Sequence, residues 1–446
     1  MKCYTMSGED KFTRRRYVQI AGTVGAAGLA GCSGGDDGSS SGEDSGSGTT
    51  ASGEETSSGT SAPLEVLHGW TGGDGKTAIN ETVKAFKEEY PEMATDFRPI
   101  GGGGNENLNA VVAKRLGNNN PPSAFAGWPG NNLVKYEGAL GNLDSVWEGG
   151  LRDAHVKEAV DLCQYNGHFR AMPIGSHRLN NLFYNVSVVE EAGVDPSSLS
   201  SASDLIDAMD AVAENTDAVP MAHAMKGAWT TLQLFGVVML STEGYDAYMD
   251  FVEGNGDEAA VKSALETTKE ILTGYINEDA SSIGFTTANQ KLMNGEAAFI
   301  HQGNWAAGAY KNADLTYDED WGSVPFPGTS DMYTIHIDGF VYTGNNPSPE
   351  KAKKWMAFAG GKTAQKTFNQ YKGAIPTRTD VSKEAFGPYL SKVMDDFAEA
   401  SKKPPTLAHG LAVVPEKMTT LKDIVTSDFS GPYNVEKTAT SFIDTI

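Results

Sequence analysis

Residues 295–310 read Gly-Glu-Ala-Ala-Phe-Ile-His-Gln-Gly-Asn-Trp-Ala-Ala-Gly-Ala-Tyr. The apolar run from Ala297 to Ile300 predicts a short strand, and a polar turn containing Gly303 follows it. The turn delivers Trp305 to the start of a helix of small residues, which is a plausible way to present an aromatic face to a cleft. Trp305 could equally be a core residue, since tryptophan is highly buried on average. The rest of the chain has to distinguish these two interpretations.

Length and charge limit the classes of protein to consider. A chain of 446 residues is too long for one ordinary core, so we expect two or more lobes. Acidic residues outnumber basic residues 58 to 35, and the net charge is -23. Without a basic patch to neutralise phosphates, such a chain is not expected to bind nucleic acid. The same acidity keeps a protein soluble in concentrated salt, which makes a halophilic source reasonable.

Residues 1–31 predict a twin-arginine-type lipoprotein signal. Residues 13–19 contain three consecutive arginines and an aromatic residue, and an apolar, small-residue run over 18–30 follows. This run ends in Leu-Ala-Gly-Cys at residues 29–32, which resembles a lipoprotein box with cleavage before Cys32 and a lipid on its sulfur. The alternative is an ordinary export signal with an incidental cysteine.

Residues 32–63 predict the lipidated cysteine followed by a disordered acidic tether. Residues 33–62 are almost entirely Gly, Ser and Thr with six acidic residues, so they cannot bury enough surface to fold. A random coil of this length reaches on the order of 30 Å. We therefore expect an exported body that a lipid on Cys32 anchors to the outer face of the cell membrane. No later run approaches the roughly twenty apolar residues of a membrane span.

The globular body starts at residue 64 with alternating strands and helices. Leu64–His68 and Thr95–Pro99 are strand candidates, and the helix between them has apolar residues at helical spacing. A second helix follows, so the order strand–helix–strand–helix predicts a mostly parallel α/β sheet. Trp70 and Trp128 each follow a strand candidate, where ligands collect in open α/β sheets. A second α/β set is predicted from about residue 167 onward.

The sequence contains no marked catalytic or metal-binding motif. The eight histidines do not fall in zinc-binding spacing, and there is no Gly-x-Ser-x-Gly motif of serine hydrolases. We therefore expect no metal, no cofactor and no enzyme, although the many carboxylates do not by themselves rule out an acid–base pair. Of the three cysteines, only Cys163 would remain as a free thiol, most simply a small buried side chain.

Seven short segments of the body carry a resemblance to a known family. They are Trp70-Thr-Gly-Gly-Asp74-Gly, His177-Arg178, Trp229-Thr230, Gly303-Asn304-Trp305-Ala-Ala-Gly, Ile337-Asp338-Gly-Phe340, Tyr371-Lys372-Gly-Ala-Ile and Ala408-His409-Gly410. In this order and spacing, over roughly 64–440, the chain resembles the solute-binding proteins of ABC sugar importers. It looks closest to the glucose/mannose-binding branch of the extracellular sugar-binding family 1.

The resemblance implies an α/β fold with two lobes, the type II-like periplasmic-binding-protein fold with hinge crossovers between the lobes. We expect lobe one to comprise 64–173 and 300–342, and lobe two to comprise 174–299 and 343–446. The chain would then cross back to lobe one near Phe299–Gln302, which would place Trp305 at the lip of the cleft.

The resemblance also implies a sugar site, whose residues in this sequence are Trp70, Asp74, Trp128, His177, Trp229, Asn304, Trp305, Asp338, Lys372 and His409. The tryptophans would cover the apolar C–H faces of a pyranose, and the carboxylates, Lys372 and His409 would hydrogen-bond its hydroxyls. Asp74 stands where relatives carry the longer Glu, and Trp128 stands where some carry His, so the resemblance leaves the preferred sugar open.

The function implied is capture of a glucose/mannose-like monosaccharide or small oligosaccharide by lobe closure. The protein, expected to be a monomer, would deliver this sugar to the membrane permease subunits of an ABC importer. Two alternatives remain at this point: a surface-tethered carbohydrate-active enzyme, and a binding protein or receptor for a non-sugar solute.

Overall fold

The computed structural model describes residues 62–73, 75–101 and 105–446. The predicted signal, Cys32, nearly all of the tether and Asp74 lie outside these residues. The strands are β1 (Leu64–His68), β2 (Thr95–Pro99), β3 (Ala124–Gly127), β4 (Gln164–Tyr165), β5 (His168–Phe169), β6 (Ala171–Arg178), β7 (Asn181–Asn185), β8 (Val219–Ala222), β9 (Ala297–Gln302), β10 (Trp321–Pro325) and β11 (Ile335–Tyr342).

Seventeen α-helices connect the strands within the described residues. They are α1 (Lys76–Glu89), α2 (Glu106–Gly117), α3 (Asp144–Trp147), α4 (Leu151–Ala154), α5 (Lys157–Leu162), α6 (Val186–Glu191), α7 (Ala202–Asn215), α8 (Ala228–Thr242), α9 (Gly244–Val252), α10 (Glu258–Gly274), α11 (Phe285–Met293), α12 (Ala306–Asn312), α13 (Pro349–Ala359), α14 (Lys362–Lys372), α15 (Pro388–Glu399), α16 (Pro415–Ile424) and α17 (Val435–Thr445). None of them is long and apolar enough to cross a bilayer.

The first lobe is built on a five-stranded sheet with the order β2-β1-β3-β11-β6. Strand β1 runs parallel to β2 and β3, whereas β11 runs antiparallel to β3 and β6. Helix α1 buries its apolar face through Ile79 and Phe86, and the Phe86 ring meets Trp355 of α13 edge to face at 5.1 Å. Helix α14 adds Phe368 to the same core.

The second lobe is built on a four-stranded sheet with the order β10-β7-β9-β8. Helix α8 is buried from Thr230 to Leu240 on every side, so it forms the centre of this lobe rather than a surface layer. Helices α10, α16 and α17 surround it, and Phe235 of α8 meets Phe442 of α17 with ring centroids 5.2 Å apart. Helix α7 begins with a capping box formed by Ser201 and Asp204.

Over the residues that the structure describes, the chain passes between the two sheets three times. Residues 179–180 join β6 to β7, residues 326–334 join β10 to β11, and residues 373–406 leave α14 and lead back to the second lobe. The first two connections lie side by side, since the backbone N–H of Leu179 donates to Thr334 at 3.0 Å and that of Phe326 donates to Asn180 at 2.8 Å.

Asn180 holds the two short connections together. Its side-chain amide donates to the carbonyl oxygen of Met332 at 3.0 Å and to the hydroxyl of Thr329 at 3.0 Å. Its carbonyl oxygen accepts from the backbone of Thr334 at 3.0 Å and from Arg178 Nε at 3.2 Å. The side chain is fully buried, so every one of these bonds is made in a region shielded from water.

The predicted two-lobed α/β fold is confirmed, but the predicted lobe limits do not follow the two sheets. Strands β9 and β10 pair with β7, which places residues 300–325 with the second lobe rather than the first. Helices α13 and α14 pack on the first sheet, which places 349–372 with the first lobe rather than the second. The crossing back therefore lies at 326–334 and not near Phe299–Gln302. Both sheets are also mixed, because their crossover strands run antiparallel to their neighbours.

Candidate functional site

The polar centre of the site lies on the two crossover strands of the first sheet. Side chains two residues apart in a strand share a face, so His336 and Asp338 of β11 point the same way. The register pairs His336 with His177 of β6 and Asp338 with Gly175. Three ionisable side chains therefore meet where β6 and β11 leave for the second lobe.

Asp338 hydrogen-bonds His177 and faces His336. His177 Nε2 lies 3.0 Å from one carboxylate oxygen, and His336 Nε2 lies 3.6 Å from the other. Burial alone would raise the pKa of Asp338, but the hydrogen bond from His177, the nearby His336 imidazole and the charge of Lys372 hold it well below its usual range. Asp338 is therefore a charged acceptor inside the molecule.

Two more predicted residues adjoin this centre. Asn304 follows β9 in the second lobe, and its side-chain oxygen lies 2.6 Å from His177 Nδ1. Lys372 ends helix α14 in the first lobe, and its Nζ lies 5.8 Å from the centroid of the Trp305 ring. Both side chains are buried, so the site combines an anion, a cation and an amide away from bulk water.

Aromatic rings from both lobes close around the polar centre. Trp128 of the first lobe meets His336 and His409 edge to face, each at 5.1 Å between ring centroids. Trp229 and Trp305 of the second lobe lie 5.5 Å from the same His409 ring. His409 therefore stands at the centre of three tryptophans, which come from α8, from the turn before α12 and from the end of β3.

Trp305 is oriented by its own turn. Its indole N–H donates to Gln302 at 3.0 Å, and its ring lies over Gly303, where a Cβ atom would stand 2.3 Å from a ring carbon. Its ring also meets His177 edge to face at 5.3 Å. The residue is 7 % exposed. Trp305 is thus both buried and part of the polar cluster, so the two interpretations of the sequence describe the same position.

Four buried polar atoms of this cluster have no hydrogen-bond partner among the described residues. They are Asn304 Nδ2, His336 Nδ1, His409 Nδ1 and Gln233 Nε2. A buried polar atom without a partner costs about 1–3 kcal/mol, so four in one place are uncommon in a region with a purely structural role. The other side of His409 is satisfied, because its Nε2 lies 3.0 Å from Gln233 Oε1.

Burial favours the neutral form of two histidines of the cluster, His336 and His409. Burial lowers the pKa of His336 despite the opposing effect of Asp338. Burial also lowers the pKa of His409 well below its usual range. A neutral imidazole offers one donor and one acceptor, which suits a hydroxyl group that can do both.

Trp70 lies beside this cluster, and its ring contacts residues of the first lobe instead of the tryptophans and histidines of the cluster. It packs edge to face on Phe340 at 5.6 Å and on Phe368 at 4.9 Å, and it stacks on His68 at 6.2 Å. The loop after it reaches the second lobe, where the side-chain amide of Asn312 donates to the carbonyl oxygen of Gly73. A cavity of about 190 Å³ opens at this point, lined by Gly73, Phe285, Met293, Trp305, Ala309 and Asn312 among others.

His336, Gln233 and Gln302 belong to the cluster and were not predicted. His336 could have been found from the alternation His-x-Asp, because Asp338 was predicted and residue 336 shares its face. Gln233 is one helical turn after Trp229, which is the spacing that puts two side chains on one face. Gln302 shows no signal that local sequence could have revealed.

The described residues contain no group of three or more histidine, cysteine or carboxylate side chains arranged to hold a metal ion. The free thiol of Cys163 is buried in the first lobe, and burial raises its pKa, so it is an inert core side chain.

Residues 81–398 match the model of a protein family described as bacterial extracellular solute-binding protein. The chain belongs to this family. The xylose/arabinose-binding protein XacG of Haloferax volcanii is 46% identical over 98% of each chain. A probable sugar-binding periplasmic protein of Rhizobium meliloti is 29% identical over 85% of this chain and 92% of its own length. The predicted resemblance to solute-binding proteins of ABC sugar importers is therefore confirmed.

Solved structures of extracellular solute-binding proteins share the two-lobed fold. The bacterial solute receptor AcbH aligns with a TM-score of 0.74 at 18% identity, over 86% of this chain and 97% of the receptor. A chitin oligosaccharide binding protein aligns with the same score over 99% of its length. The relatives and these neighbours are binding proteins, so the chain is a solute-binding protein and not an enzyme.

Proposed function

We propose that this protein captures a sugar in the closed cleft and delivers it to the membrane permease subunits of an ABC importer. The observation that carries the proposal is the group of four buried polar atoms around His409 that have no hydrogen-bond partner among the described residues. They sit beside the hydrogen-bonded pair His177–Asp338 and under three tryptophan rings. The ring hydroxyls of a sugar both donate and accept, and its C–H faces suit tryptophan.

The charged groups favour a neutral, hydroxyl-rich ligand over an anionic solute. Asp338 would repel a carboxylate or phosphate, while Lys372 is the cation of the cluster that faces the Trp305 ring. Hydrogen bonds to charged groups contribute about 1.5–3 kcal/mol each, so one carboxylate and one ammonium supply a large share of a micromolar affinity.

We propose a monosaccharide of the aldopentose class, such as xylose or arabinose, as the first candidate ligand. Support comes from the full-length similarity to XacG, a xylose/arabinose-binding protein. A glucose- or mannose-like hexose is the second candidate. It is favoured by the resemblance of the site segments, and the glucose-binding protein GlcS of Saccharolobus solfataricus is 22% identical over 68% of this chain. The two classes differ by one hydroxymethyl group on the pyranose ring.

Calorimetry on residues 63–446 tests the proposal. The panel comprises xylose, arabinose, glucose, mannose and galactose, with xylitol as a control that has hydroxyls but no ring. We expect at least one aldose to bind with a Kd of micromolar or tighter, about -8 kcal/mol, and xylitol to bind far more weakly. Absence of binding across the panel would contradict the proposal.

We also propose that the mature chain begins at a lipidated Cys32 and remains at the outer face of the membrane as a monomer. The order of arginines, apolar run and cysteine supports the signal, and the extracellular family supports export. Replacing Cys32 by Ala should move the protein from the membrane fraction into the medium. An unchanged distribution would argue against the lipid. A halophilic source is supported by the acidity and by the Haloferax relative, and predicts a Tm that rises with KCl.

A further inference from the structure

We propose that one face of the short helix α12 is a latch that holds the two lobes closed. Helix α12 belongs to the second lobe, because Tyr310 packs against Phe183 and Trp321 of its sheet. Its residues at positions i, i+3 and i+4, namely Gly308, Lys311 and Asn312, share one side of the helix. All three contact the first lobe.

Two glycines make the innermost contact of the latch. A Cβ atom on Gly308 would stand 2.7 Å from the carbonyl oxygen of Tyr371 and 2.9 Å from that of Lys372. A Cβ atom on Gly373 would stand 2.5 Å from the carbonyl oxygen of Asn304 and 2.7 Å from the backbone nitrogen of Gly308. All these neighbours are backbone atoms, so no rotation of a side chain could relieve the overlap.

Gly373 is required for a second reason. It caps helix α14 with φ +77°, a left-handed conformation that other residues rarely adopt. The cap stops α14 at Lys372 and turns the backbone towards α12. The two glycines therefore decide how closely the end of α14 approaches the segment that carries Asn304 and Trp305.

Two polar contacts continue the latch along the same face. The Lys311 ammonium donates to the carbonyl oxygen of Gln370 at 2.9 Å and lies 5.0 Å from the centroid of the Tyr371 ring. One residue further on, the side chain of Asn312 donates to the carbonyl oxygen of Gly73. Lys311 and Asn312 bind backbone carbonyls of the first lobe, so these contacts need no matching side chain there.

The latch positions ligand residues without belonging to the polar cluster itself. Lys372 directly precedes Gly373, and Trp305 lies one helical turn before Gly308. The close approach of the two glycines brings the Lys372 Nζ to 5.8 Å from the Trp305 ring, although the residues belong to different lobes. A side chain at Gly308 would therefore move Lys372 of the first lobe away from Trp305 of the second lobe without changing the residues within either lobe.

Cross-linking tests the latch without any ligand. Lys311→Cys and Gln370→Cys are introduced together in residues 63–446, where Cys163 is buried and unreactive, and joined with a short bifunctional maleimide. Adding Gly308→Ala should slow cross-linking several-fold. The matched control is Gly274→Ala, at the end of helix α10, where a Cβ atom has no neighbour within 4 Å. Equal rates in the Gly308→Ala and Gly274→Ala backgrounds would overturn the latch.

A second arm, which rests on the proposed function, measures sugar affinity. Gly308→Ala should raise the Kd at least about tenfold, because the apparent Kd grows as the closed fraction falls. Lys311→Met should raise it less, and Lys366→Met, which removes an exposed lysine of α14, should leave it unchanged. If the parent chain binds no sugar, the proposed function fails and the cross-linking rate alone decides the latch. If Gly308→Ala binds the sugar as tightly as the parent chain, the latch fails while the proposed function stands.

Discussion

His177 and Asp338 lie on neighbouring strands of the first sheet, and the imidazole Nε2 approaches the carboxylate to 3.0 Å in a region that is almost fully buried. The other ring nitrogen of His177 faces Asn304, which the second lobe supplies, at 2.6 Å. The pair therefore links an anion in the first lobe to an amide in the second. A change of charge at Asp338 is therefore expected to alter the hydrogen bond of His177 to Asn304 as well as its own bond to His177.

Replacing Asp338 by Asn should raise the Kd for the sugar at least about tenfold, which corresponds to about 1.4 kcal/mol. The substitution keeps the shape but removes the charged acceptor between His177 and His336. Calorimetry measures the Kd, and circular dichroism confirms the fold. Asp395→Asn, at an exposed carboxylate paired with Lys383, is the matched control. An unchanged Kd for Asp338→Asn would remove Asp338 from the proposed site.

Replacing Trp305 by Ala should also weaken sugar binding at least about tenfold, because truncation removes the ring that contacts His177, Trp229 and His409. Intrinsic fluorescence titration measures this loss. Trp147→Phe is the control, since Trp147 stacks on Phe169 in the core of the first lobe away from the cluster. That control should lower the Tm and leave the Kd unchanged. The opposite pattern would return Trp305 to a purely structural role.

Stability should fall as the pH drops from about 6.5 to about 4, because the unfolded state binds protons in that window while buried histidines in the folded state do not. Burial lowers the pKa of His68, His155 and His301 to about 4, and that of His223 to about 3. Each such group costs about 1.4 kcal/mol for every pH unit below about 6.5 until its folded pKa is reached.

Urea unfolding at several pH values, with salt held constant, checks this dependence. Asp338 acts in a lower window, since a carboxyl with a lowered pKa adds stability above about 3.9 and loses it only as the pH falls further. His223→Gln should reduce the slope between pH 6.5 and 4. Asn215→Ala, at an exposed residue that does not titrate, should leave the slope unchanged. A flat profile over this range would show that these histidines are accessible to protons in the folded state.

Replacing Asn180 by Ala should lower the free energy of unfolding by about 2–4 kcal/mol, because the backbone N–H of Thr334 and the carbonyl oxygen of Met332 lose buried partners. Urea unfolding measures the loss. Asn215→Ala, at the exposed end of helix α7, should change stability by less than about 0.5 kcal/mol. Equal stability of the two variants would contradict the prediction, and would mean that water replaces the hydrogen bonds of Asn180 between the two connections.

The local elements were predictable because each depends on neighbours in the chain. The strand Leu64–His68 and the helix around Phe86 follow from apolar spacing, and both are present. The site segments were also predictable in position, since His177, Asn304, Trp305, Asp338, Lys372 and His409 come together as the resemblance implied. Whether they bind a sugar remains the prediction that the calorimetry tests.

The assignment of strands to sheets was not predictable from periodicity. Strand β10 carries no local pattern that selects β7 as its partner. The choice is made by the connection at 326–334, where Asn180 and Thr329 bond at a separation of 149 residues. Long-range hydrogen bonds of this kind leave no local signal in the sequence.

The order β2-β1-β3-β11-β6 has a consequence for synthesis of the chain. Strand β11 lies between β3 and β6, so a ribosome that has made only residues 1–334 has produced two strands with unpaired edges and nothing to join them. Unpaired edges are templates for aggregation. The sheet of the first lobe can therefore be completed only when about three quarters of the chain has emerged from the ribosome. A chain truncated before Ile335 should be a substrate for chaperones and proteases rather than a stable half.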